Sequence, residues 1–349
     1  MSKFVLLYFL ALSAFAAPAD KSVKHVVTEP KTPFKASDTF YTAMDEFVNE
    51  KYKDAYRDFT KTSKNKNISK EEIGISLYNA ALSLERNEKF GQALELYKKI
   101  LNSKGARFLY KDAYYRASSC CHELKNWTCV MANLDNWKNT REVLSLVEEF
   151  EYRVRKGTAY YELKSYKDSI NYLEPAVQVF DDKITFLNLN ARNKGYPENK
   201  VDALGLWALE ALADSYKMVG MSTTISLLPS NLDDTREQVE LKAYYYVKAQ
   251  DTYLEVLKHG DKETATKGLY LVGTLYEHAY KELLDTPIPD NIAKEHLQNI
   301  YRDNLKKVLQ PLLDKSEIAH KKNLEFASFY KIDNSWTQKS RAALEKIKK

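Results

Sequence analysis

Apolar residues recur along most of the chain at intervals of three and four positions, with polar residues between them. The pattern runs through Leu77, Ala81 and Leu84, and again through Ala93, Leu96, Tyr97 and Ile100. This spacing places apolar side chains on one face of an α-helix. Apolar positions at Ile184, Phe186 and Leu187 hint at alternation, but the run is too short to predict a strand. We therefore predict an all-α protein.

The helical pattern is organised as a repeat. In four stretches a polar turn leads to an aromatic residue, with a small or modest side chain three residues later and another twelve residues before that one. The aromatics are Tyr52, Phe90, Trp127 and Tyr166, spaced 38, 37 and 39 residues apart. The later small positions are Ala55, Ala93, Val130 and Ser169, and the earlier ones are Ala43, Ala81, Ser118 and Gly157. Each unit is thus predicted to be two antiparallel helices that approach closely at their small residues.

This pattern resembles the tetratricopeptide repeat (TPR). An aromatic or leucine four residues past the second small position also fits, at Phe59, Tyr97, Leu134 and Leu173. The chain departs from the family at three points. It lacks the usual closing proline, it has Ser118 where glycine or alanine is usual, and its units are longer than the usual length of about 34 residues. The resemblance implies a right-handed superhelix, an α-solenoid of about six TPR-like units with two irregular insertions.

The repeats divide the chain. We predict four units over 36–182, an irregular insertion over 183–205, and divergent TPR-like helices with a capping segment over 206–349. A second insertion is predicted at 221–235.

The first residues predict export. Residues 1–16 have a short positive start, an apolar core and small residues before the expected cleavage site, as in a signal peptide. Residues 17–35, with three prolines, predict a flexible linker. We expect a periplasmic or extracellular protein. No later segment is apolar enough to span a membrane.

Composition narrows the classes of function. The chain is 44% hydrophobic and 29% charged, which is typical of a soluble folded protein. The net charge of +5 is spread over 53 basic and 48 acidic residues without a basic block. Nucleic acid is therefore not expected as a partner.

Every cysteine lies in one short stretch with His122. Cys120, Cys121, His122 and Cys129 invite comparison with a metal site, but their spacing does not supply four converging ligands. We expect no metal and no cofactor. An exported protein permits disulfides, and two helix ends meet at this turn. Cys129 is therefore predicted to pair with Cys121 or Cys120.

The TPR resemblance also implies a concave groove lined by the first helices of successive units. The residue three before the first small position, and the one seven further on, are expected to point into it. The predicted partner-binding residues are Phe40, Phe47, Tyr78, Tyr115, His122, Tyr161 and Tyr270. An aromatic floor suits an extended peptide, although the tyrosines also suit helix packing.

No sequence motif for catalysis, such as HExxH or GxSxG, is found in the chain. The leading hypothesis is a non-enzymatic exported scaffold that binds a protein or peptide, in a cell-envelope assembly or motility complex by analogy with the family. The alternative is a helical repeat protein that binds glycan or cell wall through the same aromatics. A third hypothesis places an active site in the 181–200 or 221–234 segments.

Overall fold

The computed structural model describes residues 37–140, 143–224, 232–288 and 294–347. These residues form thirteen α-helices and one short 3₁₀ helix, with no strand among them. Within this part of the chain no helix combines the length and apolarity needed to cross a bilayer. The predicted signal peptide (1–16) and linker (17–35) lie outside the described residues.

The helices follow one another with short connections. They are α1 (Asp38–Val48), α2 (Tyr52–Ser63), α3 (Lys70–Arg86), α4 (Phe90–Leu101), α5 (Tyr110–Glu123), α6 (Trp127–Lys138), α7 (Leu146–Glu162), α8 (Tyr166–Asn193), α9 (Lys200–Ser222), α10 (Leu232–His259), α11 (Lys262–Leu284), α12 (Glu295–Tyr330) and α13 (Ser335–Ile347). The 3₁₀ helix, Lys104–Leu109, links α4 to α5.

The turn inside each of the four predicted units has the same backbone. A residue two before the turn aromatic adopts the left-handed conformation: Glu50 (φ 60°), Glu88 (φ 59°), Lys125 (φ 53°) and Lys164 (φ 61°). In the first three turns a backbone N–H then donates to a carbonyl five residues earlier, at Lys51 to Glu46 (2.9 Å), Lys89 to Leu84 (2.8 Å) and Asn126 to Cys121 (2.9 Å). This bond pattern ends one helix and reverses the chain into the next.

The eight small positions of the repeat are all buried. Ala43, Ala55, Ala81, Ala93, Ser118 and Ser169 have no exposed surface, Val130 is 2% exposed and Gly157 is buried. The turn aromatics Tyr52, Phe90, Trp127 and Tyr166 are half-buried. Small side chains let neighbouring helix backbones approach, so this sequence pattern and the packing agree.

The chain divides into two compact units. Unit 1 comprises the described residues up to Leu163 together with Val179–Ala203, and unit 2 comprises Lys164–Gln178 and the described residues from Leu204 onward. In unit 1 the helices α1 to α7 pack on one another in chain order. In unit 2, α10, α11, α12 and α13 do the same, and α11 also contacts α13. The right-handed winding stays a prediction.

The predicted irregular insertion at 183–205 is wrong for most of its length. Helix α8 bends at Lys183 (φ −132°, ψ 23°) and continues to Asn193, and α9 begins at Lys200. Phe180, Leu187 and Ala191 are buried at helical spacing, so hydrophobic burial holds this stretch as a helix. Only residues 194–199 separate α8 from α9. Of the second predicted insertion, 221–235, residues 225–231 lie outside the described part; α9 ends at Ser222 and α10 begins at Leu232.

Candidate functional site

Three of the predicted groove residues lie inside the helix pairs. Phe40, Tyr78 and Tyr115 are 2%, 1% and 9% exposed, and each packs against an aromatic ring on the second helix of its own pair. The ring centroids are 5.5 Å apart for Phe40–Phe59, 5.7 Å for Tyr78–Tyr97 and 5.0 Å for Tyr115–Trp137. Residues three apart share one face of a helix, so a residue three before the buried small position faces the same neighbour. The prediction that they line an open groove is wrong.

The other four predicted groove residues fall into two groups, one buried and one half-buried. Phe47 is 8% exposed and meets the turn residue Tyr52 edge-on at 5.4 Å, so its assignment to an open groove is also wrong. His122, Tyr161 and Tyr270 are half-buried. His122 meets the turn residue Trp127 edge-on, with 5.2 Å between ring centroids. Tyr270 lies between two rings of unit 2, those of His320 (5.7 Å) and Trp336 (5.6 Å).

Polar contacts link the first helices of successive pairs in unit 1, and the sequence analysis did not predict them. Their members are 31 to 37 residues apart, close to one repeat length: Ser37–Glu72 (2.6 Å), Glu85–Arg116 (3.3 Å), Lys111–Glu148 (3.1 Å) and Tyr115–Glu151 (2.7 Å). The sequence held one signal for these contacts. Arg116 and Arg155 occupy the same position of successive repeats, two residues before the small residues Ser118 and Gly157. A single arginine at this position would be interpreted as a charge on the solvent-exposed surface.

The most buried of these contacts surrounds Glu151, which has no exposed surface. The Tyr115 hydroxyl and Arg155 Nε donate to Glu151 Oε1 at 2.7 and 2.8 Å, and Lys200 Nζ lies 2.8 Å from Oε2. Burial by itself would raise the pKa of Glu151, but the positive charges of Lys200 and Arg155 outweigh it and lower the pKa to about 2. Burial lowers the pKa of Lys200 to about 8, against the attraction of Glu151.

Residues 194–200 close over this cluster within unit 1. After α8 the chain adopts the left-handed conformation at Gly195 (φ 71°), and the Tyr196 N–H donates to the Ala191 carbonyl at 2.9 Å, which turns the chain back. Lys200 Nζ then lies 3.9 Å from the Tyr196 ring centroid and donates to the Tyr115 hydroxyl at 2.7 Å. The chain itself therefore occupies the surface of α5 and α7 that was predicted to receive a partner at Tyr115.

Unit 2 holds a row of groups with the order of a hydrolase relay. Ser340 Oγ lies 3.1 Å from His320 Nδ1, and His320 Nε2 lies 3.1 Å from Glu277 Oε1. Ser340 and His320 have no exposed surface, and Ser340 Oγ also accepts from Asn323 Nδ2 at 2.8 Å. A nucleophile must reach its substrate, and this hydroxyl is enclosed. The row ties α11, α12 and α13 together.

A shallow pocket of about 360 Å³ lies on unit 1, within the 181–200 segment considered above as an enzyme site. It is lined by Leu146, Lys183, Phe186, Leu189, Asn190 and Asn193. Its lining offers one amine and two amides but no carboxylate, histidine or hydroxyl to act with them. General acid–base chemistry needs a positioned titrating pair, which this lining does not supply.

The cysteines form a link across the third turn. Cys121, at the end of α5, is joined to Cys129, in the first turn of α6, with 5.7 Å between their Cα atoms. Of the two pairings predicted for Cys129, the structure has the one with Cys121, and Cys120 is a buried free thiol. Asn126 caps α6, since its side chain accepts from the Cys129 N–H at 3.1 Å. The disulfide thus fastens the turn that carries His122 and Trp127.

Beside this turn, unit 1 presents apolar and aromatic side chains at equivalent positions of two repeats. We call this surface the turn edge and define it as His122, Leu124, Trp127, Tyr161 and Leu163. Leu124 and Leu163 are 47% and 41% exposed, and the three rings are half-buried. Burial, with a smaller effect of the Arg155 charge, lowers the pKa of His122 to about 4. At neutral pH the imidazole is therefore uncharged.

The likeness of this chain to known proteins is distant. No protein-family model matches the chain, and no curated protein matches it. Among solved structures, one similar chain is a TPR repeats protein from Bacteroides fragilis, with 13% sequence identity and a TM-score of 0.34. The match covers 79% of this chain and 97% of that one. The assignment of TPR-like helix pairs rests on the turns and buried small residues described above.

Proposed function

We propose that the protein is a non-enzymatic scaffold, exported from the cytoplasm, that binds a protein or peptide partner in a cell-envelope assembly or motility complex. The observation that carries the proposal is the turn edge of unit 1. There, two exposed leucines stand at equivalent positions of successive repeats beside half-buried aromatic rings, and a disulfide joins the two helices of the third repeat.

The chemistry of the turn edge favours a partner segment with apolar side chains. Trp, Tyr and Leu give large contact areas at low cost in side-chain entropy. Helix ends held by backbone hydrogen bonds change little on binding, so little ordering opposes association. The neutral His122 adds no fixed charge to the turn edge.

Affinity capture tests the binding site. The purified protein is used to capture partners from an extract of the native envelope, with mass spectrometry as the readout. Leu124→Glu with Leu163→Glu is expected to lose the partner, since it places charge among apolar contacts. The matched control is Phe329→Glu in α12 of unit 2, where the side chain is 79% exposed. Equal capture by wild type and the double variant would show the site to be wrong.

The same variants separate a protein partner from a glycan. Binding to purified cell wall that contains no protein, lost in the double variant, would replace the proposed partner by the glycan alternative. Export is tested separately. A mature chain that begins at residue 17 supports it, and an uncleaved chain that stays in the cytoplasm contradicts it.

A further inference from the structure

One face of α10 is fixed against the rest of unit 2. Lys242, Ala249, Tyr253 and Val256 are 4%, 0%, 0% and 1% exposed. Tyr253 donates through its hydroxyl to Asp214 at 2.6 Å, and Lys242 Nζ donates to Glu282 at 2.7 Å. These contacts leave the helix no freedom to rotate about its axis, so its opposite face is held outward.

The outward face has a regular pattern. At spacings of four, three, four, three and four residues it presents Glu240, Tyr244, Val247, Asp251, Leu254 and Lys258, all exposed or half-exposed. Tyr244, Val247 and Leu254 are 49%, 54% and 40% exposed. Alternation of three and four is the spacing of a coiled-coil seam, in which one helix meets another along its length. Single exposed apolar residues are ordinary on a protein surface, but here three of them stand in one line with charged residues at the spacing of a seam.

The row is complementary to itself when reversed. Suppose that the α10 helix of a second copy lies antiparallel to the first and that the two helices cross at residue 249. Glu240 then faces Lys258 of the other copy, Tyr244 faces Leu254 and Val247 faces Asp251. Each seam position then meets the other seam position of its partner, as in antiparallel coiled coils. A parallel pair would place Glu240 against Glu240 and Lys258 against Lys258. Charge therefore selects both the occupant, a second copy of this chain, and its direction.

We propose that two copies of the protein associate through α10, antiparallel and in this register, as a two-fold symmetric dimer. An isologous contact repeats each pair twice, so the Glu240–Lys258 contact forms at both ends. Lys258 Nζ already lies 3.3 Å from Glu255 of its own chain, and the dimer adds Glu240 to that cation. The seam from 240 to 258 spans roughly 27 Å of helix.

The expected dimer is weak. A single helix pair buries less than the area of about 1,200 Å² at which stable interfaces begin, so a dissociation constant on the order of micromolar is expected. Sedimentation equilibrium over a range of concentrations should show the mass rising from that of one chain toward twice that value. A single-chain mass up to millimolar protein would overturn the proposal.

A matched pair of substitutions locates the interface. Val247→Glu places a charge in the centre of the seam and is expected to weaken association by at least about tenfold. Val308→Glu makes the same change at a 73% exposed valine of α12 and should leave the dissociation constant unchanged. Circular dichroism checks that both variants fold. Association that survives Val247→Glu, or is lost equally in both variants, contradicts the α10 interface.

Charge reversal tests the register. Glu240→Lys and Lys258→Glu should each weaken the dimer, and the double variant should restore it. In a mixture, Glu240→Cys and Lys258→Cys chains should cross-link to each other, and neither should cross-link to itself. Self-linked Glu240→Cys dimers would show a parallel pair and refute the proposed arrangement. The turn edge contains none of these residues, so failure here is distinct from failure of the proposed function.

Discussion

The two units differ in how much charge they bury and in how much apolar surface they expose. Unit 1 is built from helices of 11 to 17 residues over α1 to α7 and buries charge, with Glu151 and Arg155 0% and 5% exposed. In unit 2 the helices α10, α11 and α12 run to 28, 23 and 36 residues, and among the described residues α10 and α12 carry most of the exposed large apolar side chains. The repeats of unit 1 join successive first helices through buried polar contacts, whereas α10 of unit 2 keeps a row of exposed residues along one face.

Removing the buried carboxylate of unit 1 should have the largest effect. Glu151→Gln leaves Arg155 and Lys200 buried without their counter-charge, which is expected to lower the free energy of unfolding by about 3–5 kcal/mol. The control in unit 2 is Glu277→Gln, whose side chain is 35% exposed and should lose about 1 kcal/mol or less.

Tryptophan fluorescence resolves the two effects. Each unit holds two tryptophans, Trp127 and Trp137 in unit 1 and Trp207 and Trp336 in unit 2. With Trp207 and Trp336 replaced by Phe, urea unfolding of Glu151→Gln against its parent reports unit 1. With Trp127 and Trp137 replaced by Phe instead, Glu277→Gln against its own parent reports unit 2. Comparable losses for the two variants, each in its own background, would remove the contrast between the units.

The disulfide should rank second. Cys121→Ser with Cys129→Ser opens a loop closed across eight residues, for which the chain-entropy model gives roughly 2.5 kcal/mol. The measurement is urea unfolding of the double variant against Cys120→Ala, which leaves the bond intact. The unreduced, denatured wild type should show one free thiol, and a count of three would contradict the pairing.

A single added methyl group distinguishes crowded from open helix faces. In unit 2, a Cβ at Gly273 would lie 2.5 Å from ring atoms of the enclosed His320, so Gly273→Ala should lower stability by about 2 kcal/mol. In unit 1, a Cβ at Gly91 meets no atom within 4 Å. Gly91→Ala should raise stability by up to about 1 kcal/mol through helix propensity. Thermal unfolding of both variants checks these opposite signs.

The smallest effect concerns pH. His122 is half-buried and its pKa is lowered to about 4, so between pH 6.5 and pH 4 the unfolded chain binds a proton that the folded chain does not. Stability is therefore full above pH 6.5 and falls as the pH drops toward 4. His122→Gln should flatten this slope. If stability fell equally with pH in wild type and in His122→Gln, the lowered pKa of His122 would be contradicted.

The sequence predicts what is local and repeated. Turn aromatics and small residues recur at nearly constant spacing, and the buried small positions and shared left-handed turns follow the same register. The groove prediction was wrong about which way the aromatic side chains point. Tyr78 lies on the same helix face as Ala81, and this face packs against the second helix of the pair. The insertion prediction overlooked that Phe180, Ile184, Leu187 and Ala191 are spaced four, three and four apart, a helical pattern. The Glu151 cluster joins residues 36 and 49 positions away, which no local pattern reveals.

The return of Val179–Ala203 to unit 1, after Lys164–Gln178 has entered unit 2, bears on how the protein is made. Lys200 supplies a counter-charge to Glu151, so unit 1 holds an incompletely compensated buried carboxylate until residue 200 has been synthesised. If the chain crosses a membrane unfolded, the same order applies as it emerges. A nascent or truncated chain ending before that lysine should therefore remain a substrate for chaperones and proteases, even though all seven helices α1 to α7 are already present.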